Sequence, residues 1–382
     1  MPDVVLKGWT ATTLGQVVHL QRGHDLPLSA RIPGAVPVIG SGDADGWHDQ
    51  AMARGPGVVI GRATNLGRPK FVRDDYWPLN TTLYVKDFKG NDPRWVYYLF
   101  QTLDLTGYNS GSVQPMLNRN YIQGVPILFP PLLEQQAIAE VLGALDDKIE
   151  ANRRAGVLAG QLVTAYFMSL TSLQNPTRSW PSVPLSQLCA KIDNGGTPSR
   201  AEPSYWDGAV RWFKTGELND GPLTDSNEHI SERGLERSSC KIWPAGTVLI
   251  ALYASPTVGR LGILTSPASA NQACSALIPR SEIGTPFLYE SLLATRGRLQ
   301  DIAVGSAQQN ISQSVVKNHL IPKPVLDVIT QFNRVAEPVL ALRTSYLRQS
   351  FALCTLRDAL LPKLLSGELR VRAVESLVEE VV

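Results

Sequence analysis

Gly111-Ser112-Val113-Gln114, then Val125-Pro126-Ile127, then Pro130-Pro131-Leu132 and a long helical stretch form an ordered set of motifs. The set recurs half a chain later as Gly305-Ser306-Ala307-Gln308, His319-Leu320-Ile321-Pro322, Pro324-Val325-Leu326 and a second long helical stretch. Ser306 lies 194 positions beyond Ser112, and Leu342 lies 197 beyond Leu145, a drift that a few inserted residues produce. Working outward, Trp9–Gly23 matches Trp180–Gly196, and Gly57–Val72 matches Gly246–Leu264. Pro78–Val85 matches Ser269–Leu277, with Asn80 opposite Asn271. The match is strongest in helical stretches and strand-like cores and weakest in the polar loops between them. One scaffold carrying two different surfaces suits a partner that is itself bipartite.

The 382 residues suffice for two cores of ordinary size. With 43% hydrophobic and 18% charged residues the chain reads as globular. Apolar runs end well short of the ~18 residues a bilayer span needs, and the opening residues do not read as a signal peptide. Cys189, Cys240, Cys274 and Cys354 are scattered without a CxxC pair, so neither a zinc site nor a disulfide framework is expected. These features together predict a cytoplasmic protein. A net charge of +2 neither demands nor excludes a nucleic-acid partner, because basic residues can gather on one face.

Residues 1–130 read as a mixed α/β domain, with strands at Val36–Ile39, Gly57–Gly61, Lys70–Val72, Thr82–Val85 and Val125–Leu128. Asp92–Leu103 reads as a helix capped by Asp92 with Pro93 at its first position. Residues 176–324 repeat the plan, with Thr285–Gln300 as the equivalent helix. The intervening 131–175 and the terminal 325–382 are the long helical regions. In the second, Phe332, Val335, Val339, Leu342, Tyr346, Leu353, Leu356 and Leu360 recur at steps of three and four, broken at Gln349. Ile138, Leu142, Leu145, Ile149, Ala159, Val163 and Tyr166 form the first stripe, weakened at Asn152 and Gly156. Both stripes read as core. Two such seams pair most simply antiparallel, and Pro338 predicts a kink or break.

Catalytic patterns do not appear. There is no GxxxxGK[ST] loop, HExxH, GxSxG, Asn-Pro-Pro-aromatic signature or glycine-rich loop for S-adenosylmethionine. Asp146-Asp147-Lys148 invites a nuclease reading, but its place on the flank of the stripe favours a solvated helix face. No cofactor and no metal are expected.

FPPLLEQQAIAEVLGALDDKIEANRR (Phe129–Arg154) and LRDALLPKLLSGELRV (Leu356–Val371) resemble the conserved helical regions of the specificity subunit of type I restriction–modification enzymes. The resemblance extends over the whole chain, because the two variable halves stand where that family has its target recognition domains. The second entry, KPVLDVITQF, departs from the Pro-Pro-Leu-Glu-Glu-Gln pattern. The resemblance implies an α/β (mixed α+β) fold in which two target recognition domains are separated by two long antiparallel coiled-coil helices, with a pseudo-two-fold internal repeat. It implies a non-catalytic protein that reads a split, asymmetric site on double-stranded DNA. Its implied partners are two adenine methyltransferase (modification) subunits, which two restriction/motor subunits can join, and no membrane.

Bases are read by side chains from polar loops, while Lys and Arg on phosphates supply much of the affinity. In the first domain three loops qualify, carrying Arg22 and His24; Arg62, Asn65, Arg68 and Lys70; and Gln114, Asn118 and Arg119. Their counterparts carry Thr197 and Arg200; Tyr253, Ser255 and Arg260; and Gln308, Gln309 and Asn310. Against this stands the plain reading of a Gly-Arg loop as a solvated turn and of Gly-Ser-x-Gln as a local cap. Trp47, Trp77, Trp206 and Trp212 read as core or rim packing. The competing function is a coiled-coil scaffold that binds no nucleic acid, and a weaker third is an enzyme with an unrecognised site. Paired basic, Asn/Gln-bearing loops at matching places favour the DNA reader.

Overall fold

The computed structural model describes residues 8–42, 44–63, 65–110, 116–171, 180–253, 257–304 and 310–373. They fall into two compact units, one formed by Met1–Glu150 with Phe351–Val382, the other by Ala151–Ser350. Each unit therefore holds one globular part and half of each long helix.

In the first unit, β1 (Thr10–Thr13) leads through the one-turn α1 (Leu14–Val17) to β2 (His19–Arg22). Then come β3 (Val36–Ile39), β4 (Ala44–His48), β5 (Gly57–Gly61), β6 (Pro69–Val72), β7 (Trp77–Pro78) and β8 (Thr82–Asp87). α2 (Pro93–Thr102), β9 (Asn109–Ser110), β10 (Met116–Leu117), α3 (Arg119–Ile122) and β11 (Pro126–Phe129) complete it before α4 (Leu132–Thr171) begins. The main sheet has the order β2-β8-β5-β6, a smaller mixed sheet the order β4-β3-β7, and β1 pairs with β11. Asp92 caps α2 by accepting from the backbone N–H groups of Arg94 and Trp95 at 2.9 and 2.8 Å.

The second unit runs through β12 (Ser182–Pro184), α5 (Leu185–Leu188), β13 (Cys189–Asn194), β14 (Trp206–Phe213), β15 (Gly221–Leu223), β16 (Glu228–Ile230) and α6 (Glu232–Glu236). β17 (Val248–Ala251), β18 (Leu261–Leu264), β19 (Ser269–Ala270), β20 (Cys274–Pro279), α7 (Thr285–Val304), α8 (Gln313–Asn318), β21 (Leu320–Pro322) and α9 (Leu326–Leu365) follow. Its sheets are β13-β20-β17-β18-β15, β16-β14-β19 and β12-β21. Among the described residues, the wiring is that of the first unit apart from the added edge strand β15 and the short β9–β10 pair, which belongs to the first unit. The register shows that Leu79, not Asn80, is the counterpart of Asn271. Ile39 pairs with Pro78 as Phe213 pairs with Ala270, and Leu79 N–H donates to Ile39 as Asn271 N–H donates to Phe213.

A long helix closes each unit from below. Trp95, Val96 and Leu99 of α2 share one buried cluster with Ile138, Leu142 and Leu145 of α4 and Leu353, Leu360 and Leu364 of α9. Phe332 of α9 lies against Tyr166, Phe167 and Phe287, with ring centroids 6.0, 5.3 and 6.5 Å apart. In both units the helices run antiparallel, as Asp146 against Arg357 and Asn152 against Gln349 show. The two interruptions of the stripes meet, the Asn152 amide donating to Gln349 Oε1 at 2.8 Å. Asn152 is buried and Gln349 exposed, so this polar pair at the edge of the seam helps to fix register.

Several expectations change. Val335 and Leu342 were read as core but are 43% and 47% exposed; the buried face there is Ile329, Phe332, Ala336 and Leu340. That spacing follows the straight-helix period, because α9 packs on a globular part as well as on another helix. α9 runs unbroken through Pro338; Pro338 and Arg334 are both exposed, so water can meet the Arg334 carbonyl that proline leaves without a helical donor. Asp146 and Asp147 are not a solvated face. Asp146 accepts from Tyr98 and Arg357 at 2.6 and 2.8 Å, and Asp147 from Arg94 at 2.8 Å and from Arg73. Trp47 is 61% exposed and packs in no core.

Gly156 and Gly160 make room for Arg343, which crosses α4 to donate to the Asp220 carbonyl at 3.0 Å. Beside it lies a cavity of about 460 Å³ lined by Thr164, Tyr289, Glu290 and Leu293 among others. Glu290 is 2% exposed. Burial raises its carboxyl to about 7, against a hydrogen bond with Thr164 and the charge of Arg343.

Phe332→Ala is expected to lower the unfolding free energy by about 3–5 kcal/mol, while Leu342→Ala costs under about 1 kcal/mol. Urea denaturation of both variants measures the pair, and equal costs would return the heptad seam. For Glu290, only the folded state keeps the proton between pH 4.5 and about 7, so stability falls as pH rises through that window and then levels. Glu290→Gln should therefore leave stability near pH 4.5 unchanged and raise it at pH 8 by on the order of 3 kcal/mol. Equal effects at the two pH values would show that Glu290 ionises freely in the fold.

Candidate nucleic-acid interface

In the first unit, residues from all three expected loops reach one concave site. A cavity of about 450 Å³ is lined by Gln21, Arg22, Arg62, Leu83, Leu117, Asn118 and Arg119. Arg22 and Arg62 are brought together by the sheet. Arg22 ends β2 opposite Leu83 of β8, and Gly61, at the end of β5, pairs with Thr82 of the same strand. The Arg62 carbonyl accepts from Leu117 N–H at 2.9 Å, tying the third loop beside them. Burial first and the charge of Arg22 second lower the pKa of Arg62. Among the described residues the lining holds three guanidinium groups and no carboxylate. Its polar groups therefore suit an anion or an acceptor-rich edge.

The other residues of these loops have structural duties. Asn65 stands at φ 51° and donates to the Ser41 carbonyl at 3.0 Å. Lys70 Nζ donates to the Gly40 carbonyl at 3.0 Å. His24 packs against Trp77 and Tyr84, its Nε2 3.5 Å from the Tyr84 hydroxyl. Asn118 Oδ1 accepts from Asn120 N–H at 3.0 Å and so caps α3, while the residue also lines the cavity. Arg68 is exposed. Gln114 lies outside the described residues.

The second unit gathers its residues differently. Arg200 lies over the Trp206 ring, 3.6 Å from the centroid, and its Nη2 donates to Glu228 Oε2 at 2.6 Å. Lys214 Nζ donates to the other oxygen of Glu228, also at 2.6 Å. The hydrogen bond from Lys214 is the chief reason that Glu228 titrates below the usual carboxylate range. Thr197 donates to Gln272, and the matching pair in the first unit is Asn80 with Asp25. Both pairs stand two residues past a glycine, Gly195 or Gly23. At either position a Cβ would overlap the carbonyl of Asn271 or Leu79. Tyr253 is 39% exposed, and the Arg260 backbone closes the turn with Thr257. Asn310 is half-buried. Ser255, Gln308 and Gln309 lie outside the described residues.

Gln21, Lys214, Trp206 and Glu228 are the members of these two sites that sequence reading missed. Gln21 adjoins a residue singled out, so a wider window would have included it. Glu228 stands 28 residues from Arg200 and carries no local signal. Trp212, expected as packing, is 2% exposed and donates from Nε1 to the Gly196 carbonyl at 2.9 Å. Among the described residues no helix is long and apolar enough to cross a membrane, and no group of His, Cys, Asp or Glu is placed to hold a metal ion.

A family model described as the type I restriction modification DNA specificity domain matches the chain twice, at residues 7–159 and 178–331. The specificity subunit of the type I restriction enzyme HindI of Haemophilus influenzae is 29% identical over 196 residues, 50% of this chain and 42% of that protein. The MjaIX specificity subunit of Methanocaldococcus jannaschii is 24% identical over 300 residues, 72% of this chain and 69% of its own length. The match thus spans less than half of the first relative. The crystal structure of the S subunit of a type I restriction-modification system from M. genitalium has a TM-score of 0.70 at 16% identity, covering 94% of this chain and 96% of that one. That likeness establishes the shared fold.

Proposed function

The chain belongs to the family of type I restriction modification DNA specificity domains, which it carries twice, and we propose that it is the DNA-reading subunit of such a system. Each unit reads one half of a bipartite, asymmetric site on double-stranded DNA. The observation that carries DNA binding is the convergence of Arg22, Arg62, Asn118 and Arg119, drawn from three loops, on one concave site with no carboxylate among its described lining residues. The duplicated sheet wiring supports two such readers in one chain. In this reading residues 1–130 and 176–324 are the reading domains and 131–175 and 325–382 the spacer and docking helices. The chain is non-catalytic and works in the cytoplasm. Adenine methyltransferase subunits, two in number, dock on the helices, and two restriction/motor subunits join where the system cleaves.

The mechanism divides affinity from sequence reading. Three arginines with no carboxylate beside them suit the phosphodiester backbone, where each neutralised phosphate releases condensed counterions. Contacts of this kind position the protein without reading sequence. α4 and α9, at 40 residues each, are each about 60 Å long. Helices of that length can set the gap between half-sites, since a DNA turn measures about 34 Å.

Two outcomes follow for the assembled complex. Arg62→Gln and Arg119→Gln should weaken cognate and unrelated DNA alike and lower the slope of log K against log salt by about one per phosphate lost. The methylation motif should stay the same; a motif altered in one half-site would make these residues base readers instead. Inserting four residues, about one turn, into both long helices should lengthen the gap and keep both half-sites, read by methylome sequencing in cells. Changed bases at an unchanged gap would refute the division between readers and spacer, and an undivided wild-type motif would refute the function.

A further inference from the structure

Arg200 differs from the three arginines of the first unit's cavity in being held beside a carboxylate. Its guanidinium lies 3.6 Å from the Trp206 centroid and 5.4 Å from that of Trp212. The two tryptophans meet edge to face at 5.2 Å. Trp206 Nε1 donates to the Ser199 carbonyl at 3.1 Å, which ties the ring to the residue preceding Arg200. Trp212, beneath, is opposite Glu228 in the β14–β16 pairing. The arginine is thus clamped on one face by an aromatic ring and at Nη2 by Glu228, while its side chain stays 57% exposed.

An ion pair this exposed stabilises a fold little, so the cost of ordering a long side chain calls for another return. What the clamp provides is orientation. A guanidinium has five N–H donors in a fixed plane, and among the described residues the hydrogen bond to Glu228 takes one N–H of Nη2. The remaining edge is a pre-set fork of parallel donors, the geometry that matches guanine O6 and N7. A phosphate would also accept from such a fork. Here, however, the Glu228 carboxylate lies 2.6 Å from the same guanidinium and would repel it. Lys214 offsets that repulsion, so Arg200, Lys214 and Glu228 sum to a single positive charge, which draws a phosphate less strongly than the three arginines of the first unit's cavity. A neutral base edge suffers no such penalty.

We propose that Arg200 reads a guanine in the half-site bound by the second unit, with Trp206, Glu228 and Lys214 as positioning residues. The inference rests on the reading of that unit as a half-site reader. It names the base, the atom pair and the element that presents the arginine.

The test uses the whole chain assembled with its methyltransferase subunits, and reads the methylation motif in cells. Arg200→Ala should relax one G·C position of the second half-site, with discrimination there falling roughly ten- to a hundredfold. Arg200→Lys should relax it nearly as far, because a compact ammonium keeps the charge but not the planar fork. Glu228→Gln should keep the guanine preference in weakened form and raise affinity for unrelated DNA. The unchanged motif of the first half-site reports that each variant folds and assembles. Full rescue by lysine would assign Arg200 to a phosphate and overturn the proposal, as would a second half-site that keeps all its bases in Arg200→Ala. A wild-type motif that is not bipartite would instead remove the underlying reading, so the two failures are distinguishable.

Discussion

The packing of one short helix onto a long one is the contact on which either unit depends. A long helix in water has no stability to spare unless an apolar face is covered, and a small sheet with one oily face needs a second layer. α2 and α7 answer both needs. Trp95, Tyr98 and Leu99 join Ile138, Leu142 and Leu145 in one cluster, and Phe287 meets Phe167 and Phe332 in the other. The long helix also satisfies the short one's exposed backbone. Gln135, wholly buried, accepts from Asp92 N–H at 3.1 Å, and Asn333 accepts from Phe287 N–H at 3.1 Å. Apolar burial supplies the energy, and these amides fix which turn of the long helix lies beneath which end of the short one.

The acidic pair on α4 extends this fixing. Asp147 is bonded to Arg94 and Arg73, and Asp146 to Tyr98 and Arg357, so α2, β6's exit and α9 all converge on two neighbouring carboxylates. Arg343 does comparable work in the second unit, reaching Asp220, whose carboxylate pairs with Arg296 at 2.6 Å. A reading surface held to its helix in this way keeps a definite orientation. Loop residues above it can then change without loosening the frame.

Much of the architecture was legible because duplication makes weak signals agree. Two Pro-rich entries, two apolar stripes and matched strand-like cores, with the family resemblance, were enough for two α/β parts joined by long helices. Asp92 with Pro93 marked the start of α2 because a cap is a local matter. The heptad reading failed at Val335 and Leu342 because a stripe shows which residues are apolar, not which neighbour covers them. Asn80 was aligned one place off because only the ladder register distinguishes it from Leu79. Around the candidate interface, loop membership was readable while geometry was not. Lys70 and Asn65 share a loop with Arg62 yet donate to the chain's own carbonyls. Glu228 reaches Arg200 across a sheet, a contact that sequence distance hides.

The two units thus meet a common demand with different electrostatics. In the first unit's cavity burial first and the charge of Arg22 second lower the pKa of Arg62, and an anion brought by a ligand would offset both. A clamped arginine beside its own carboxylate carries no such debt and gains little from a charged ligand. It does gain from an acceptor pair of the right spacing, where geometry rather than charge decides. On the proposed reading, affinity that falls with salt and discrimination that depends on a fixed plane arise from distinct residues of one duplicated fold. The sheets common to both units share one wiring while the loops between their strands differ, and on that same reading those loops are where a change of target can occur without a change of frame.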